Sequence, residues 1–330
     1  MKICIYGAGA VGGHIAAKLA AGGHEVSVIA RGAHLQAMRD KGITLIHGDR
    51  TITGSVRALP DPSTLGVQDF VFVTLKANAL GDFAAAARPI VGPGTGVVFG
   101  QNGIPWWYGI GLAAQRPRPP DLSKLDPQGR LQKLLRPEQI IGGVVYSANE
   151  VLEPGVIQNN VPGNNMIVVG RADDAPSREI LSLRKLLEEN DISSPQTDDL
   201  RTSVWAKIVQ ALGTGALCTL TEAPIAKVRQ NPGLAGIAAR LNDEGRAIAL
   251  AHGVDPAAAP RRPSGAQTSG LIAHKPSMLQ DYERGRPMEV EAQLVSTLAF
   301  ARVAKVAVPA LETMVPLVAF KASAKGLYAD

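Results

Sequence analysis

Short apolar runs alternate with helix-forming segments along the first part of the chain. Residues 2–6 form an apolar run typical of a buried strand, and residues 10–22, rich in Ala, Ile and Leu, predict a helix. Further strands are predicted at 25–30, 70–75 and 96–100, and an Ala-rich helix at 79–88. Strands that alternate with helices in this way are typical of a doubly wound, mainly parallel sheet.

The α/β pattern continues beyond residue 100. The Pro- and Arg-rich segment 115–137 indicates an excursion over the surface. Strands then return at about 140–147, 154–159 and 165–170, followed by a helix at 177–190 and a strand at 192–195. These elements complete the first predicted domain.

From residue 198 onward the pattern becomes helical. Helices are predicted at about 199–218, 232–252, 276–285, 290–306 and 309–322, with no convincing strand. A chain of 330 residues is also too long for one comfortable core. We therefore predict an α/β Rossmann domain over residues 1–196, followed by an all-helical domain over residues 197–330.

The composition, with 45% hydrophobic and 19% charged residues, is that of an ordinary globular enzyme. A net charge of +5 suits an anionic cofactor or substrate, although it also suits an ordinary surface, and no basic run indicates nucleic-acid binding.

Cys4 and Cys218 lie in apolar segments without neighbours at metal-ligand spacing, so we expect reduced core residues and no metal. Glycines interrupt the apolar N-terminus and no segment has the about 18 apolar residues of a membrane helix, so we expect a cytoplasmic protein.

A glycine-rich loop with the pattern G-x-G-x-x-G follows the first predicted strand and opens the first predicted helix. Its first glycine permits a tight turn, its second lets the backbone approach a pyrophosphate, and its third permits close helix packing. This context favours a dinucleotide site over a glycine-rich turn without a ligand. The candidate cofactor-binding residues of the loop are Gly7, Ala8, Gly9, Ala10, Val11 and Gly12.

Arg31 follows the second predicted strand, where NAD-binding versions of this fold usually carry an acidic residue for the ribose hydroxyls. A guanidinium group matches the geometry of a phosphate. The sequence therefore favours NADPH over NADH, the alternative being an exposed arginine at the start of a helix.

Several short motifs in a fixed order extend this pattern along nearly the whole chain. They are the glycine loop, Arg31, Thr74-Leu75-Lys76, Gln101-Asn102-Gly103, Trp205-Ala206-Lys207, Ser277-Met278-Leu279-Gln280-Asp281 and Glu289. In these motifs the sequence resembles the ketopantoate reductase (2-dehydropantoate 2-reductase) family. The resemblance implies a Rossmann domain, a helical domain, NADPH at the glycine loop, and substrate in the cleft between the domains.

The resemblance also implies roles for individual residues. The assigned residues are Arg31 for the 2′-phosphate, Lys76 and Asn102 for cofactor and substrate, Lys207 as the catalytic acid, Ser277 as a substrate contact, and Glu289 as a hydrogen-bonding partner in the active site.

Elementary chemistry supports a lysine in this role. Hydride transfer to a ketone creates negative charge on its oxygen, which a lysine ammonium can stabilise and protonate. Each candidate has a structural alternative: Lys207 as a surface lysine, Ser277 as a helix N-cap, and Glu289 as a first-turn carboxylate. Lys76 and Asn102 follow predicted strand ends, which border the ligand crevice in open α/β sheets.

The sequence departs from the family pattern at three positions. The family carries asparagine four and eight residues after the catalytic lysine, where this chain has Ala211 and Gly215. These positions share one helix face with Lys207. His274 stands three residues before Ser277, where another asparagine is common, and is a candidate substrate-binding residue.

Three functions remain open. The first is NADPH-dependent reduction of ketopantoate to pantoate in pantothenate biosynthesis, and the second is reduction of a bulkier or more apolar 2-oxo acid by a relative. The third is an NADPH-binding regulator without turnover, against which Lys207 and Glu289 argue, since a sensor needs no proton donor. The expected partner is a small 2-oxo acid, with no nucleic acid or membrane, and a homodimer built on the helical domain is implied by the family.

Overall fold

The computed structural model describes residues 1–261 and 275–329, and the described chain forms two compact units. The first unit contains residues 1–101, 126–200 and 260–261. The second contains residues 102–125, 201–259 and 275–329. Each unit is therefore built from more than one stretch of chain.

The described part of the first unit contains the strands β1 (Lys2–Tyr6), β2 (Glu25–Ile29), β3 (Ile43–His47), β4 (Arg50–Gly54), β5 (Arg57–Leu59), β6 (Phe70–Val73), β7 (Gly96–Phe99), β8 (Ile140–Tyr146), β9 (Asn149–Glu153), β10 (Val156–Asn159) and β11 (Met166–Arg171). One sheet has the order β11-β8-β7-β6-β1-β2-β5. All of its neighbouring strands are parallel except β8 and β11. The predicted doubly wound, mainly parallel sheet is confirmed.

The strand order of this sheet reverses at β1, which lies between β2 and β6. In open α/β sheets the ligand crevice lies at the carboxyl ends of the strands where the order reverses. β1 ends at Tyr6, directly before the glycine loop, and β6 ends at Val73, directly before Thr74. The topology thus brings two of the sequence motifs to one edge of the sheet.

The helices of the first unit are α1 (Ala10–Ala21), α2 (Gly32–Lys41), α3 (Leu80–Ala86), α4 (Arg130–Leu134) and α5 (Arg178–Glu189). The helices predicted at 10–22, 79–88 and 177–190 are confirmed, with ends that shift by one or two residues. The strand predicted at 192–195 is wrong. Ser193 makes a single bridge to Met166, and Pro195 has no backbone N–H with which to extend the pairing.

A second sheet has the strand order β4-β3-β10-β9. Its strands β3 and β4, within residues 43–54, were not predicted from the sequence. Its strands β3 and β4 form a hairpin around Gly48 and Asp49, with Gly48 at φ 67°. This sheet and the large sheet both contact α1, whose residues 12–19 are buried. α1 therefore lacks the polar face of an ordinary surface helix and carries small and apolar residues around most of its circumference.

The described helices that follow β11 in the second unit are α6 (Leu200–Leu212), α7 (Gly215–Thr221), α8 (Ile225–Gln230), α9 (Pro232–Ala251), α10 (Ser277–Glu283), α11 (Ser296–Ala304) and α12 (Pro309–Ser323), with a π-helical stretch at Glu291–Val295 before α11. The all-helical character of this part is confirmed for the residues that the structure describes. None of these helices is long and apolar enough to cross a membrane.

The segment predicted as one helix at 199–218 forms two helices, because the helix is interrupted at Gly213 and Thr214. A Cβ on Gly213 would overlap the side chain of Asn242 and lie 2.9 Å from the carbonyl oxygen of Ala238. The break is therefore a point where α9 approaches the backbone of the α6–α7 connection.

Aromatic residues between 102 and 125 pack inside the second unit. Trp107 and Tyr108 are buried, and the buried guanidinium of Arg201 donates hydrogen bonds of 2.7 and 3.0 Å to the carbonyl oxygen of Tyr108. Trp205 Nε1 donates to the hydroxyl of Tyr108 at 2.8 Å. These bonds fix the first turns of α6, the helix that carries Lys207.

The buried histidine of α1 predicts acid sensitivity of the fold. Burial is the main cause that lowers the pKa of His14 to about 3, helped by the positive charge of Lys18. Below about pH 6.5 the imidazole of His14 is therefore protonated in the unfolded chain, whereas it stays neutral in the folded chain. The free energy of unfolding consequently falls as the pH drops. Urea unfolding is expected to show a loss of about 2 kcal/mol between pH 7 and pH 5 from this residue.

The matched variants for this prediction are His14→Leu and His24→Gln. His14→Leu removes the titrating group together with an Nε2 atom that has no hydrogen-bond partner among the described residues, so the pH dependence should become shallower. His24, a more accessible histidine in the connection between α1 and β2, should leave most of the slope in place when replaced. Equal slopes in wild type and His14→Leu would contradict the assignment.

Candidate functional site

The glycine loop has the geometry that close approach of a ligand requires. Gly7 has φ +103°, a conformation that favours glycine, and its N–H donates to the carbonyl oxygen of Ile29 at 3.1 Å. A Cβ on Gly12 would overlap the Gly7 carbonyl oxygen and the Thr74 hydroxyl. A Cβ on Gly9 would meet no atom within 4 Å. The loop is thus packed from behind and open beside Gly9, which fits a pyrophosphate at the N-terminus of α1.

Side chains at the ends of β6 and β7 support this loop. The hydroxyl of Thr74 donates to the Gly7 carbonyl oxygen at 2.5 Å. Gln101 Nε2 donates to the carbonyl oxygens of Val73 and Leu75 at 2.7 and 2.9 Å. Lys76 follows directly and precedes a 3₁₀ turn, so it lies at the carboxyl edge of the sheet, as predicted.

Arg31 lies at the N-cap position of α2, just beyond the end of β2. Its guanidinium lies 3.5 Å from a carboxylate oxygen of Asp82, and both side chains are exposed. An exposed pair of this kind contributes little to stability. The guanidinium therefore remains accessible to an anion at the end of β2.

A pocket of about 110 Å³ in the second unit brings together three of the predicted residues. A single water needs about 10–15 Å³ of such space, so the pocket has room for a group larger than one water. Polar, small and apolar side chains line it. The lining consists of Asn102, Gly103, Lys207, Ile208, Ala211, Thr214, Gly215, Pro276, Ser277, Met278 and Gln293. Three residues predicted separately from the sequence, Asn102, Lys207 and Ser277, thus meet around one space.

Glycine allows Asn102 to reach this pocket. Gly103 has φ +84°, and a Cβ on it would overlap the carbonyl group of Ala292 and lie 2.8 Å from the backbone nitrogen of Gln293. The next residue, Ile104, donates its N–H to the Ala292 carbonyl oxygen at 2.8 Å. The Asn102-Gly103 backbone is therefore held directly against the π-helical stretch.

Glu289 is buried immediately before this helical stretch, and Gln293 connects it to the pocket. The Nε2 atom of Gln293 lies 3.4 Å from a carboxylate oxygen of Glu289, while Gln293 itself lines the pocket. The backbone N–H of Gln293 also donates to the Glu289 carbonyl oxygen, so the carboxylate sits at the start of a helix as the structural alternative expects. Gln293 was not predicted from the sequence, although its spacing of four residues from Glu289 was an available signal.

The two remaining substrate candidates have different outcomes. Pro276 occupies the N-cap position of α10 and Ser277 is the first helical residue, so Ser277 does not act as the N-cap. His274 lies outside the described residues. Among the described residues, no three His, Cys, Asp or Glu side chains cluster as a metal site would require.

Family models match almost the whole chain. The model described as ketopantoate reductase PanE/ApbA matches residues 3–174, and the model of the C-terminal part of the same family matches residues 199–322. The chain belongs to the ketopantoate reductase PanE/ApbA family. It is therefore an oxidoreductase, and the resemblance inferred from the short motifs is confirmed.

Individual members of the ketopantoate reductase family agree with this assignment. The 2-dehydropantoate 2-reductase of Mesorhizobium japonicum is 36% identical and covers 99% of this chain and 100% of its own length. A crystal structure of a candidate ketopantoate reductase from Ralstonia solanacearum MolK2 is 30% identical, covers 99% of both chains and superposes with a TM-score of 0.84.

A more distant structure shares the fold of this ketopantoate reductase family member. D-mandelate dehydrogenase, in a ternary complex with NADH and anilino(oxo)acetate, has a TM-score of 0.79 at 18% identity. It covers 99% of this chain and 100% of its own. Identity this low establishes the common fold alone.

Proposed function

We propose that this protein reduces 2-dehydropantoate to pantoate with NADPH, in pantothenate biosynthesis. The observation that carries the proposal is the pocket where Lys207, Asn102 and Ser277 converge. The named activity of the Mesorhizobium japonicum relative over the full chain supports the same substrate. The open space at Gly9 and the tight packing at Gly12 support a bound dinucleotide.

In this proposal the chain's own residues bind the substrate, stabilise the developing charge and donate the proton. NADPH held at the glycine loop would supply the hydride for the ketone carbon, and the chain's own residues must then deal with the negative charge on the ketone oxygen. The Lys207 ammonium stabilises that oxygen and donates a proton to it. Asn102 and Ser277 hold the polar groups of the substrate, since both line the same pocket. Glu289 acts from the start of its helix, through Gln293, to keep this end of the pocket hydrogen-bonded.

The test of this function is oxidation of NADPH by the purified protein across a panel of 2-oxo acids. The expected result is the highest kcat/KM for 2-dehydropantoate. Tight NADPH binding without oxidation by any member of the panel would instead support a regulator. Preference for another 2-oxo acid would support the second candidate function.

That second candidate is reduction of a bulkier or more apolar 2-oxo acid. Ala211 and Gly215 line the pocket beside Lys207, and a Cβ on Gly215 would meet no atom within 4 Å. These positions offer no side-chain partner to a substrate hydroxyl, and an unpartnered buried hydroxyl costs about 1–3 kcal/mol. Analogues of 2-dehydropantoate that lack the hydroxyl or carry larger tails distinguish the two candidates by kcat/KM.

Replacing Arg31 with alanine is expected to raise the KM for NADPH by about tenfold or more and to leave the KM for NADH nearly unchanged. A charge-assisted hydrogen bond to a phosphate is worth about 1.5–3 kcal/mol, and NADH lacks the 2′-phosphate. Steady-state kinetics with both cofactors measure the effect. The control is Asp82→Asn, which removes the carboxylate beside Arg31 and should not weaken NADPH binding. Equal losses with both cofactors would rule out the 2′-phosphate role.

A further inference from the structure

His34, on the first turn of α2, connects the glycine loop to a part of the chain that is distant in sequence. Its Nε2 atom lies 2.5 Å from the carbonyl oxygen of Ala8, inside the loop. The N–H of Gly155, in the turn between β9 and β10, donates to its Nδ1 atom at 2.9 Å. One imidazole ring therefore bridges three segments of the first unit.

These two partners fix the protonation of the ring. A carbonyl oxygen only accepts, so Nε2 must carry a hydrogen, whereas a backbone N–H only donates, so Nδ1 must present its lone pair. His34 is thus the neutral tautomer with hydrogen on Nε2. Both ring nitrogens are used, which leaves the ring one orientation that satisfies both backbone groups.

The bond to Ala8 acts on the peptide group that the cofactor loop depends on. The carbonyl oxygen of the Ala8–Gly9 peptide faces His34, while its N–H donates to the Gly7 carbonyl oxygen at 2.9 Å. Both polar ends of this peptide group are therefore held. Rotation of this peptide plane changes ψ of Ala8 and φ of Gly9, and a glycine at position 9 would otherwise permit it at little steric cost.

We propose that His34 is a positioning residue that holds the Ala8–Gly9 peptide in the orientation that a dinucleotide phosphate requires. The inference rests on the dinucleotide binding proposed above. His34 belongs to the first unit, whereas Lys207 and the residues that line the substrate pocket belong to the second. Its effect should therefore appear in cofactor affinity and be absent from kcat at saturating cofactor.

Two amide variants separate the two hydrogen bonds of the ring. The Nε2 group of glutamine stands close to the Nε2 position of histidine, so His34→Gln keeps the donor to Ala8. Asparagine is shorter and places its oxygen near the Nδ1 position, so His34→Asn keeps the acceptor for Gly155 and loses the donor to the loop. Loss of one hydrogen bond predicts a rise of about 3- to 10-fold in the NADPH Kd of His34→Asn. His34→Gln should bind NADPH nearly as wild type does.

The experiment measures NADPH and NADH Kd by fluorescence titration, kcat at saturating NADPH, and thermal unfolding for the wild type and the three variants His34→Asn, His34→Gln and His34→Ala. Because the loop would contact the pyrophosphate that both cofactors share, NADH binding should weaken in parallel with NADPH binding. Equal Kd values for His34→Asn, His34→Gln and wild type would overturn the inference, and so would a fall in kcat at unchanged Kd. His34→Ala, which removes both bonds and suits a helix, must weaken NADPH binding at least as much as His34→Asn. Failure of the wild type itself to bind a nucleotide would overturn the proposed function instead.

Discussion

Replacing Lys207 with alanine is expected to lower kcat by about 10²- to 10⁴-fold, the usual contribution of a general acid. Lys207 lines the second-unit pocket together with Asn102 and Ser277, and the proposed mechanism assigns to it the protonation of the reduced oxygen. NADPH binding should persist, because the glycine loop belongs to the first unit. Stopped-flow or steady-state oxidation of NADPH measures the loss, and fluorescence titration measures the retained affinity.

Two lysine controls sharpen this test. Lys227→Ala removes an exposed lysine from α8 in the same unit and should leave kcat unchanged. Lys207→Arg keeps a positive charge, but a guanidinium does not release its proton at any relevant pH. Substrate binding should therefore survive in Lys207→Arg while kcat stays low. Near-normal turnover in Lys207→Ala would falsify its role as the proton donor.

A pair of glycine variants is expected to separate cofactor binding from folding. Gly9→Ala should raise the NADPH Kd by about tenfold or more, since a methyl group would occupy the space where the backbone approaches the pyrophosphate. The same change should leave the free energy of unfolding nearly unaltered, because Gly9 has φ −72° and its Cβ would meet no atom within 4 Å. Isothermal titration and urea unfolding measure the two quantities.

Gly12→Ala should behave differently. Its Cβ would overlap the Gly7 carbonyl oxygen and the Thr74 hydroxyl and lie 2.9 Å from Ile5 Cγ2. Overpacking of this kind costs about 1–3 kcal/mol, so Gly12→Ala should lose stability as well as NADPH affinity. The loop interpretation fails if Gly9→Ala binds NADPH normally, or if Gly12→Ala is as stable as wild type.

The features predicted well from the sequence depend on neighbours along the chain. The glycine loop is recognisable because a strand, a turn and a helix follow one another within a few residues. Spacing of four residues places Lys207 and Ala211 on one helix face, and both line the pocket. Gly215 also lines the pocket, although the helix breaks before it and places it in α7.

The features that sequence reasoning missed depend on contacts between distant segments. The hairpin of β3 and β4 becomes part of a larger sheet only by pairing with β10, which lies about a hundred residues later in the chain. Gly48-Asp49, between two segments of alternating hydrophobicity, was a local signal for the hairpin itself. Position 103 cannot accommodate a side chain, because the backbone of Ala292 packs directly against Gly103. The hydrogen bonds of His34 to Ala8 and Gly155 join distant segments, so no pattern of neighbouring residues predicts them.

The discontinuous second unit restricts how this enzyme can be cut or recombined. Its aromatic segment, residues 102–125, is encoded between β7 and β8, so the chain passes from one unit to the other well before α6. A truncation after residue 196 would retain Trp107 and Tyr108 but lose Arg201 and Trp205, leaving a large apolar surface exposed to aggregation. A chimera that exchanges cofactor domains between relatives must therefore leave residues 102–125 with the helical partner, which requires splicing at two extra junctions.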